Sequence, residues 1–177
     1  MMVGWAPTDL LGDFDSAGRI AIDAGGAGSV FVVWEQFHTQ PNQSIQLAID
    51  AARFDPVAGA WSKPETIATH SANLSWPQVA VDGRGRALTS WSRDDASDPH
   101  IVSLQGSRFD AANGKWGTPE LLDQTGTNEI QEAVLAIDDA GNGDAALAEC
   151  LSDQARGAQG GRRCQRSLSR CCIWGAA

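Results

Sequence analysis

The chain has 177 residues, of which 42% are hydrophobic and 20% charged, and its net charge is −9. This composition excludes a collagen-like or wholly disordered chain, and the length suffices for one or two domains with their own core. The acidic balance excludes nucleic acid and anionic membrane surfaces as expected partners, because both would repel the protein.

The sequence shows neither a secretion signal nor a membrane-spanning stretch. Residues 1–13 lack a basic region followed by a long apolar run. The longest apolar run, residues 30–34, is far shorter than a bilayer requires. We therefore expect a cytosolic protein or a piece without its export signal.

Three segments share a pattern of apolar residue, alanine, apolar residue and aspartate. Residues 19–23, 78–82 and 134–138 read RIAID, QVAVD and VLAID, and glycine-rich turns follow the first two at residues 24–28 and 83–85. Alternation with a period of two predicts a strand, and the small alanine allows another sheet to approach closely.

A second and a third strand are expected after each of these turns. Residues 29–34 and 86–91 read SVFVVW and RALTSW, runs of strand length that would form a hairpin with the first strand. Polar loops are expected at residues 35–44 and 92–99. The third strands are then expected at residues 45–54 and 101–109.

The most distinctive stretch of the chain occurs twice, 55 residues apart: residues 53–65 read RFDPVAGAWSKPE and residues 108–120 read RFDAANGKWGTPE. A shorter copy, GWAP, stands at residues 4–7. We interpret the stretch as the turn from the third to a fourth strand. Its aspartates can accept backbone N–H groups and its glycines can take a positive φ. The residues expected in these two roles are Asp55, Asp110, Gly59 and Gly114.

The tryptophans of this stretch, Trp61 and Trp116, would begin the fourth strand. Pro64 and Pro119 cannot donate to a ladder of hydrogen bonds, so this strand is expected at a sheet edge. Trp34 and Trp91 recur in the same way, and all four tryptophans are expected in the core. Four antiparallel strands in 55 residues correspond to one blade of a β-propeller.

The predicted fold is therefore all-β, with antiparallel four-stranded repeats forming a partial or oligomer-completed β-propeller. Residues 1–149 would supply about two and a half blades, whereas propellers close with about four to eight. Closure then requires further sequence or a ring of several copies of the chain.

Residues 150–177 break the repeat and are predicted as an irregular, disordered tail. They carry five arginines and one aspartate, together with all four cysteines, Cys150, Cys164, Cys171 and Cys172. The sequence has no C-x-x-C pair and no histidine close to the cysteines, so a zinc site is not expected. A frameshift in a longer gene would explain the change of composition, and a basic, flexible tail is the alternative.

The two F-D-x-x-x-G-x-W-x-x-P-E stretches and the apolar-Ala-apolar-Asp strands resemble bacterial β-propeller repeats of the sialidase-like class, whose turns carry an Asp-box, S-x-D-x-G-x-x-W. The resemblance covers residues 4–149, but Arg53 and Arg108 replace the serine of the box and the Asp-to-Gly spacing is longer. It implies that Asp55 and Asp110 are structural turn residues and that the protein is secreted or periplasmic. A sialidase would use a tyrosine nucleophile, and the chain contains no tyrosine.

Four residues are candidates for binding a ligand. Trp76 precedes Pro77 in an expected linker between blades, where its indole could stack on a sugar ring or pack against a neighbouring blade. His38 and His100 fall in equivalent loops and are interpreted as exposed loop histidines, and Arg93 lies near them. The acidic loop at residues 94–98 is interpreted as a solvated loop, so no metal site is expected there. No cofactor and no catalytic residue is expected in this chain.

These features predict a non-catalytic module that binds carbohydrate or protein through the loops at residues 35–44 and 92–99, with a homo-oligomer as a further expected assembly. One alternative is a fragment of a sialidase-like glycoside hydrolase whose catalytic residues lie outside this chain. The other is a truncated piece with no function of its own.

Overall fold

The computed structural model describes residues 16–26, 28–71, 73–97, 102–125, 129–150 and 168–174. Within these ranges every regular element is a β-strand and every strand pair is antiparallel. The prediction of an all-β protein with antiparallel sheets is confirmed. Among the described residues there is no helix of the length and apolar character needed to cross a membrane.

The strands of the described part of the chain belong to three sheets. In chain order they are β1 (Ala17–Ala24), β2 (Val30–Thr39), β3 (Ile45–Asp55), β4 (Ala60–Trp61), β5 (Glu65–His70), β6 (Leu74–Val81), β7 (Ala87–Asp94), β8 (Val102–Asp110), β9 (Lys115–Trp116), β10 (Glu120–Thr125), β11 (Glu129–Ile137), β12 (Gly143–Cys150) and β13 (Leu168–Trp174).

The first two sheets have the same strand order. In the first sheet β1, β2 and β3 are neighbours, and β4 and β5 both pair with β3. In the second sheet β6, β7 and β8 are neighbours, and β9 and β10 both pair with β8. The two halves of the sequence repeat thus form sheets of the same topology, and the third sheet, β11-β12-β13, follows the same order over three strands.

The turn that joins the third strand to the outer strand forms as the sequence predicts. Asp55 Oδ1 accepts hydrogen bonds from the backbone N–H groups of Val57 and Ala58, and these bonds lower the pKa of Asp55 below its usual value. Asp110 Oδ1 accepts the N–H of Ala112 in the same way. Gly59 has a φ of 64°, in the left-handed region that glycine tolerates.

Prolines interrupt the outer strand of each of the first two sheets. Pro64 lies between β4 and β5, and Pro119 lies between β9 and β10. Because proline has no N–H, it cannot donate to the third strand at this point. The expectation of an edge strand is confirmed, with the strand divided into a short and a longer part.

Neighbouring sheets pack face to face, and the first strand of each sheet lies against the sheet before it. β6 packs against β1 and β2, and β11 packs against β6 and β7. Buried residues between the first and second sheets form two clusters, and those between the second and third sheets form another. The clusters contain Phe31, Ala87 and Phe109; Ile49, Leu74 and Trp91; and Val102, Leu104, Ala133 and Ala145.

The four recurring tryptophans occupy two levels of burial. Trp91 is fully buried between the first and second sheets, and Trp34 is buried on the opposite face of the first sheet. Burial of an indole contributes roughly 4–6 kcal/mol as an upper bound. Trp61 and Trp116 are half-buried and pack at the edges of the core clusters. The predicted core position is therefore confirmed in full for Trp34 and Trp91, and only in part for Trp61 and Trp116.

Several segments expected to be irregular are strands. Residues 35–39 belong to β2 and residues 92–94 to β7, so the two polar loops begin later than predicted. Residues 168–174 form β13 on β12, although no strand was expected after residue 149.

Candidate functional site

Trp76 lies at the end of the sheets where the polar hairpin turns are found. β2 ends and β3 begins at this end, with residues 40–44 as the turn between them, and β6 begins there. Trp76 was expected in a linker, but it lies within β6. The pairing of β6 with β7 shifts register between Ser75 and Gln78, so Trp76 and Pro77 form a bulge.

The backbone of Trp76 adopts a conformation that is unusual for a bulky residue. Its φ is 58°, in the left-handed region that favours glycine. A bulge bends its strand and changes the direction in which a side chain points. In this structure the bulge turns the indole of Trp76 towards β1, where it contacts Arg19.

Glu35 holds both sides of this contact in place. The side chain is buried, and its Oε1 accepts the backbone N–H of Trp76 at 3.0 Å. Its Oε2 accepts the backbone N–H of Arg19 at 3.1 Å. One carboxylate of the first sheet therefore fixes the start of β1 and the bulge of β6 relative to each other.

Arg19 covers one face of the indole. Its guanidinium carbon lies 3.3 Å from the centroid of the Trp76 ring, and its Nε is 4.0 Å from Glu35 Oε1. The Arg19 side chain remains 55% exposed. A cation–π contact at an exposed site contributes about 0.5–1 kcal/mol. This contact helps to hold the Arg19 side chain over the indole, while part of that side chain still faces solvent.

These residues border an open cleft of about 270 Å³. Its lining combines an indole ring, a guanidinium group and a side-chain amide; the residues are Arg19, Ile20, Trp76, Pro77 and Gln78. The two polar side chains can donate hydrogen bonds, and the rings of Trp76 and Pro77 offer apolar surface. We call this feature the Trp76 cleft.

His38 does not join the Trp76 cleft. It lies in β2, and its Nε2 is 3.5 Å from Asp50 Oδ2 on β3. Side chains alternate between the faces of a strand, so His38 lies on the face opposite to Glu35. Asp50 is 5% exposed, and its Oδ1 has no hydrogen-bond partner among the described residues.

Of the remaining two predicted residues, Arg93 also lies away from the cleft. Arg93 is in β7 and half-buried, and its Nε has no hydrogen-bond partner in the described part of the chain. Its backbone carbonyl accepts Ser103 Oγ at 3.2 Å. His100 lies outside the described residues. Of the three candidates that the structure describes, Trp76 alone borders the cleft.

Sequence reasoning missed Arg19, Glu35 and Gln78. Arg19 and Gln78 occupy the same position, directly before the apolar-Ala-apolar-Asp pattern, where the third copy has Val134. That polar position was the available signal. Glu35 was placed in a loop, and no sequence pattern indicated that its carboxylate would receive two backbone N–H groups from different sheets.

Two arginines at the opposite end of the sheets have structural roles. Arg86 donates to the carbonyl oxygens of Asp139 and Ala140 at 3.0 and 3.1 Å, and Arg108 donates to the carbonyl of Gly141. These bonds join the second sheet to the turn between β11 and β12. A cleft of about 280 Å³ beside them is thus lined by guanidinium groups that already have partners.

The acidic loop after β7 shows no metal-binding geometry in its described residues. Asp95 Oδ1 accepts the backbone N–H and the hydroxyl of Ser97, which is a local turn. Across the described part of the chain, no group of three or more His, Cys, Asp or Glu side chains is arranged to hold a metal ion.

Comparison with known proteins gives no family assignment. No protein-family model matches the sequence, and a search of curated proteins finds no match either.

Proposed function

We propose that the protein is a propeller-like carbohydrate-binding module and that the Trp76 cleft holds the ligand. The propeller arrangement is supported by the stacking of three antiparallel sheets through their first strands, β1, β6 and β11. In a propeller, each blade is a four-stranded antiparallel sheet and the blades are arranged around an axis. The resemblance to sialidase-like repeats is part of this proposal.

The backbone of Trp76 is the observation that carries the functional proposal. A bulky residue at φ 58° stores about 1–3 kcal/mol of strain, which persists only where the surroundings enforce it. The buried Glu35 carboxylate enforces it here through the Trp76 N–H. Strain of this kind clusters at ligand sites, and here it presents an indole beside an open cleft.

The chemistry of the lining favours a saccharide. A sugar ring offers an apolar C–H face to an indole and hydroxyl groups to hydrogen-bond donors. Gln78 and the guanidinium group of Arg19, which lies over one face of the ring, supply such donors. A protein partner would need about 800 Å² of surface on each side, far more than a cleft lined by five residues provides.

Binding is favoured over glycoside hydrolysis. Most glycoside hydrolases place two carboxyl groups on either side of the scissile bond. The described lining of the cleft contains no carboxylate, and both oxygens of the neighbouring Glu35 accept backbone N–H groups. The alternative of a hydrolase fragment is therefore treated as an outcome of the test.

The test is a glycan array followed by titration calorimetry with any glycan that binds. We expect Trp76→Ala to weaken binding at least tenfold, because a central aromatic contact contributes 2 kcal/mol or more at about 1.4 kcal/mol per factor of ten. Ile45→Ala is the matched control, since Ile45 is exposed at the same end of the sheets but does not border the cleft.

Two results would contradict the proposal. One is that no glycan binds the wild-type protein, and the other is that Trp76→Ala binds as well as the Ile45→Ala control. Release of free sugar from a bound glycoside would instead support the hydrolase alternative.

A further inference from the structure

The outer face of β1 exposes two large apolar side chains. Ile20 is 68% exposed and Ile22 is 65% exposed. In the register of the first sheet they pair with Trp34 and Val32 of β2, which are both 3% exposed. The exposed pair therefore extends a buried apolar cluster to the first strand of the sheet.

The equivalent residues of the other sheets are covered. Val79 and Val81 of β6 stand where β1 has Ile20 and Ile22, and they pack against the cluster that contains Phe31 of the first sheet. Leu135 of β11 stands at the position of Ile20 and packs against the cluster around Leu104 of the second sheet. In both cases the preceding sheet supplies the cover.

The third sheet has an open face of the complementary kind. Val134 of β11 is 57% exposed, and Ala136 on the same face is also exposed. Ala80 of β6 stands at the position of Ala136 and is only 6% exposed, because β11 lies against β6. In the second sheet this face is covered by the following sheet.

We propose that the open face of β1 in one copy of the chain packs on the open face of β11 in a second copy, and that the reverse contact closes a two-copy ring. Each open face corresponds to the first-strand part of a contact that the chain already makes twice, between the first and second and between the second and third sheets. On the neighbouring strand β2, the same face of the first sheet is already buried at Val32 and Trp34. A second copy supplies both missing halves at once.

The number of sheets in two copies of the chain is compatible with a closed ring. The described residues form three sheets, so two copies would contribute six, and propellers close with about four to eight blades. When two different faces of a chain bind each other, the copies form a closed ring if the rotations from one copy to the next add up to a full turn. Otherwise they form an open filament. This inference rests on the propeller-like arrangement proposed above, but not on the identity of the ligand.

The experiment measures mass in solution by light scattering after size-exclusion chromatography. The wild-type protein should have twice the chain mass of 18.7 kDa. Ile20→Glu and Val134→Glu each place charges in both contacts of the ring, so each should halve the measured mass. Val57→Glu is the matched control: Val57 is 95% exposed in the turn after β3, and this variant should keep the mass of the wild type.

Circular dichroism and tryptophan fluorescence establish that the variants fold. If Ile20→Glu does not fold, the milder Ile20→Ser takes its place, and the wild-type mass is decisive without either. A wild-type monomer, an assembly of more than two copies, or a dimer that both folded variants retain would overturn the inference. Trp76→Ala should keep the dimer mass, which separates failure of this inference from failure of the binding proposal.

Discussion

Trp76 allows the strain in its backbone to be measured directly. The left-handed region raises the conformational energy of a residue with a Cβ by about 1–2 kcal/mol, whereas for glycine the increase is close to zero. We therefore expect Trp76→Gly to be more stable than Trp76→Ala by about 1 kcal/mol, the reverse of the usual order in a strand. The measurement is urea unfolding followed by circular dichroism.

Thr69 provides the matched pair of control variants. It lies exposed in β5, where the strand pairs with β3 in continuous register. There the usual order should hold, with Thr69→Gly less stable than Thr69→Ala by about 0.5–1 kcal/mol. Equal stability of Trp76→Gly and Trp76→Ala would show that the bulge carries no strain, which would contradict the proposal of a ligand site at Trp76.

Asp82 makes the stability of the second sheet dependent on pH. Burial alone would raise the pKa of this carboxyl, but hydrogen bonds from the backbone and side chain of Arg86 and from the N–H of Arg84 outweigh burial. The pKa of Asp82 therefore lies below its ordinary value of 3.8. Because the folded-state pKa is the lower one, ionised Asp82 stabilises the fold above about pH 3.8, and this contribution is lost as the pH falls through the folded-state pKa.

The variant Asp82→Asn tests this sign. It should lose about 1.5–3 kcal/mol of unfolding free energy at neutral pH, since it weakens a charged hydrogen bond to Arg86. Towards acid pH the difference from the wild type should shrink, because protonated Asp82 no longer differs in charge from asparagine. Urea unfolding at a series of pH values measures this, and a constant difference across the series would contradict the prediction.

At the scale of elements, aromatic rings couple the first sheet to the second. The ring of Phe31 in β2 meets that of Phe109 in β8 edge to face, with centroids 4.9 Å apart. Such a pair contributes about 0.5–1.5 kcal/mol beyond its buried area. A double-mutant cycle with Phe31→Leu and Phe109→Leu should return a coupling free energy of that size in urea unfolding.

Phe37 serves as the control for this cycle. It lies six residues after Phe31 in β2, about 20 Å along the strand, so it is too distant to share partners with Phe109. Phe37→Leu and Phe109→Leu should be additive. A cycle that gives Phe31 and Phe109 no more coupling than this pair would show that the sheets are not joined through these rings.

The strand order of the first two sheets could be predicted because it rests on local signals. Glycine-bounded runs of β-branched and aromatic residues define the strands, and the aspartate turn with Gly59 or Gly114 defines the step to the outer strand. Trp76 could not be placed in this way. The residue before a proline is normally extended, which favours a linker, whereas its observed conformation depends on Glu35 from another sheet.

The strand at residues 168–174 was missed for a related reason. Residues 168–174 read LSRCCIW and show no regular alternation of apolar and polar residues. Their pairing with β12 satisfies the backbone groups of that strand, a requirement set by tertiary context. The same limit applied to the Trp76 cleft, because Arg19 and Gln78 are brought together by the stacking of sheets.

At the scale of the whole molecule, β13 determines whether the outer edge of β12 in the third sheet is paired or open. β12 pairs with β11 on one side and with β13 on the other. A chain that ends at residue 167 would leave the outer side of β12 unpaired. Because a two-stranded ribbon is marginally stable and an open edge pairs with other chains, we expect this truncation to lower the unfolding free energy and to cause aggregation.

A chain that ends at residue 174 is the matched control, since it keeps β13 and should remain as soluble as the full-length protein. Light scattering during heating and urea unfolding compare the three chains. The original expectation of a disordered tail makes the opposite prediction, namely that all three behave alike, because removal of a disordered segment exposes no strand edge. Equal solubility and stability of the chain ending at residue 167 would therefore show that β13 contributes nothing to the fold.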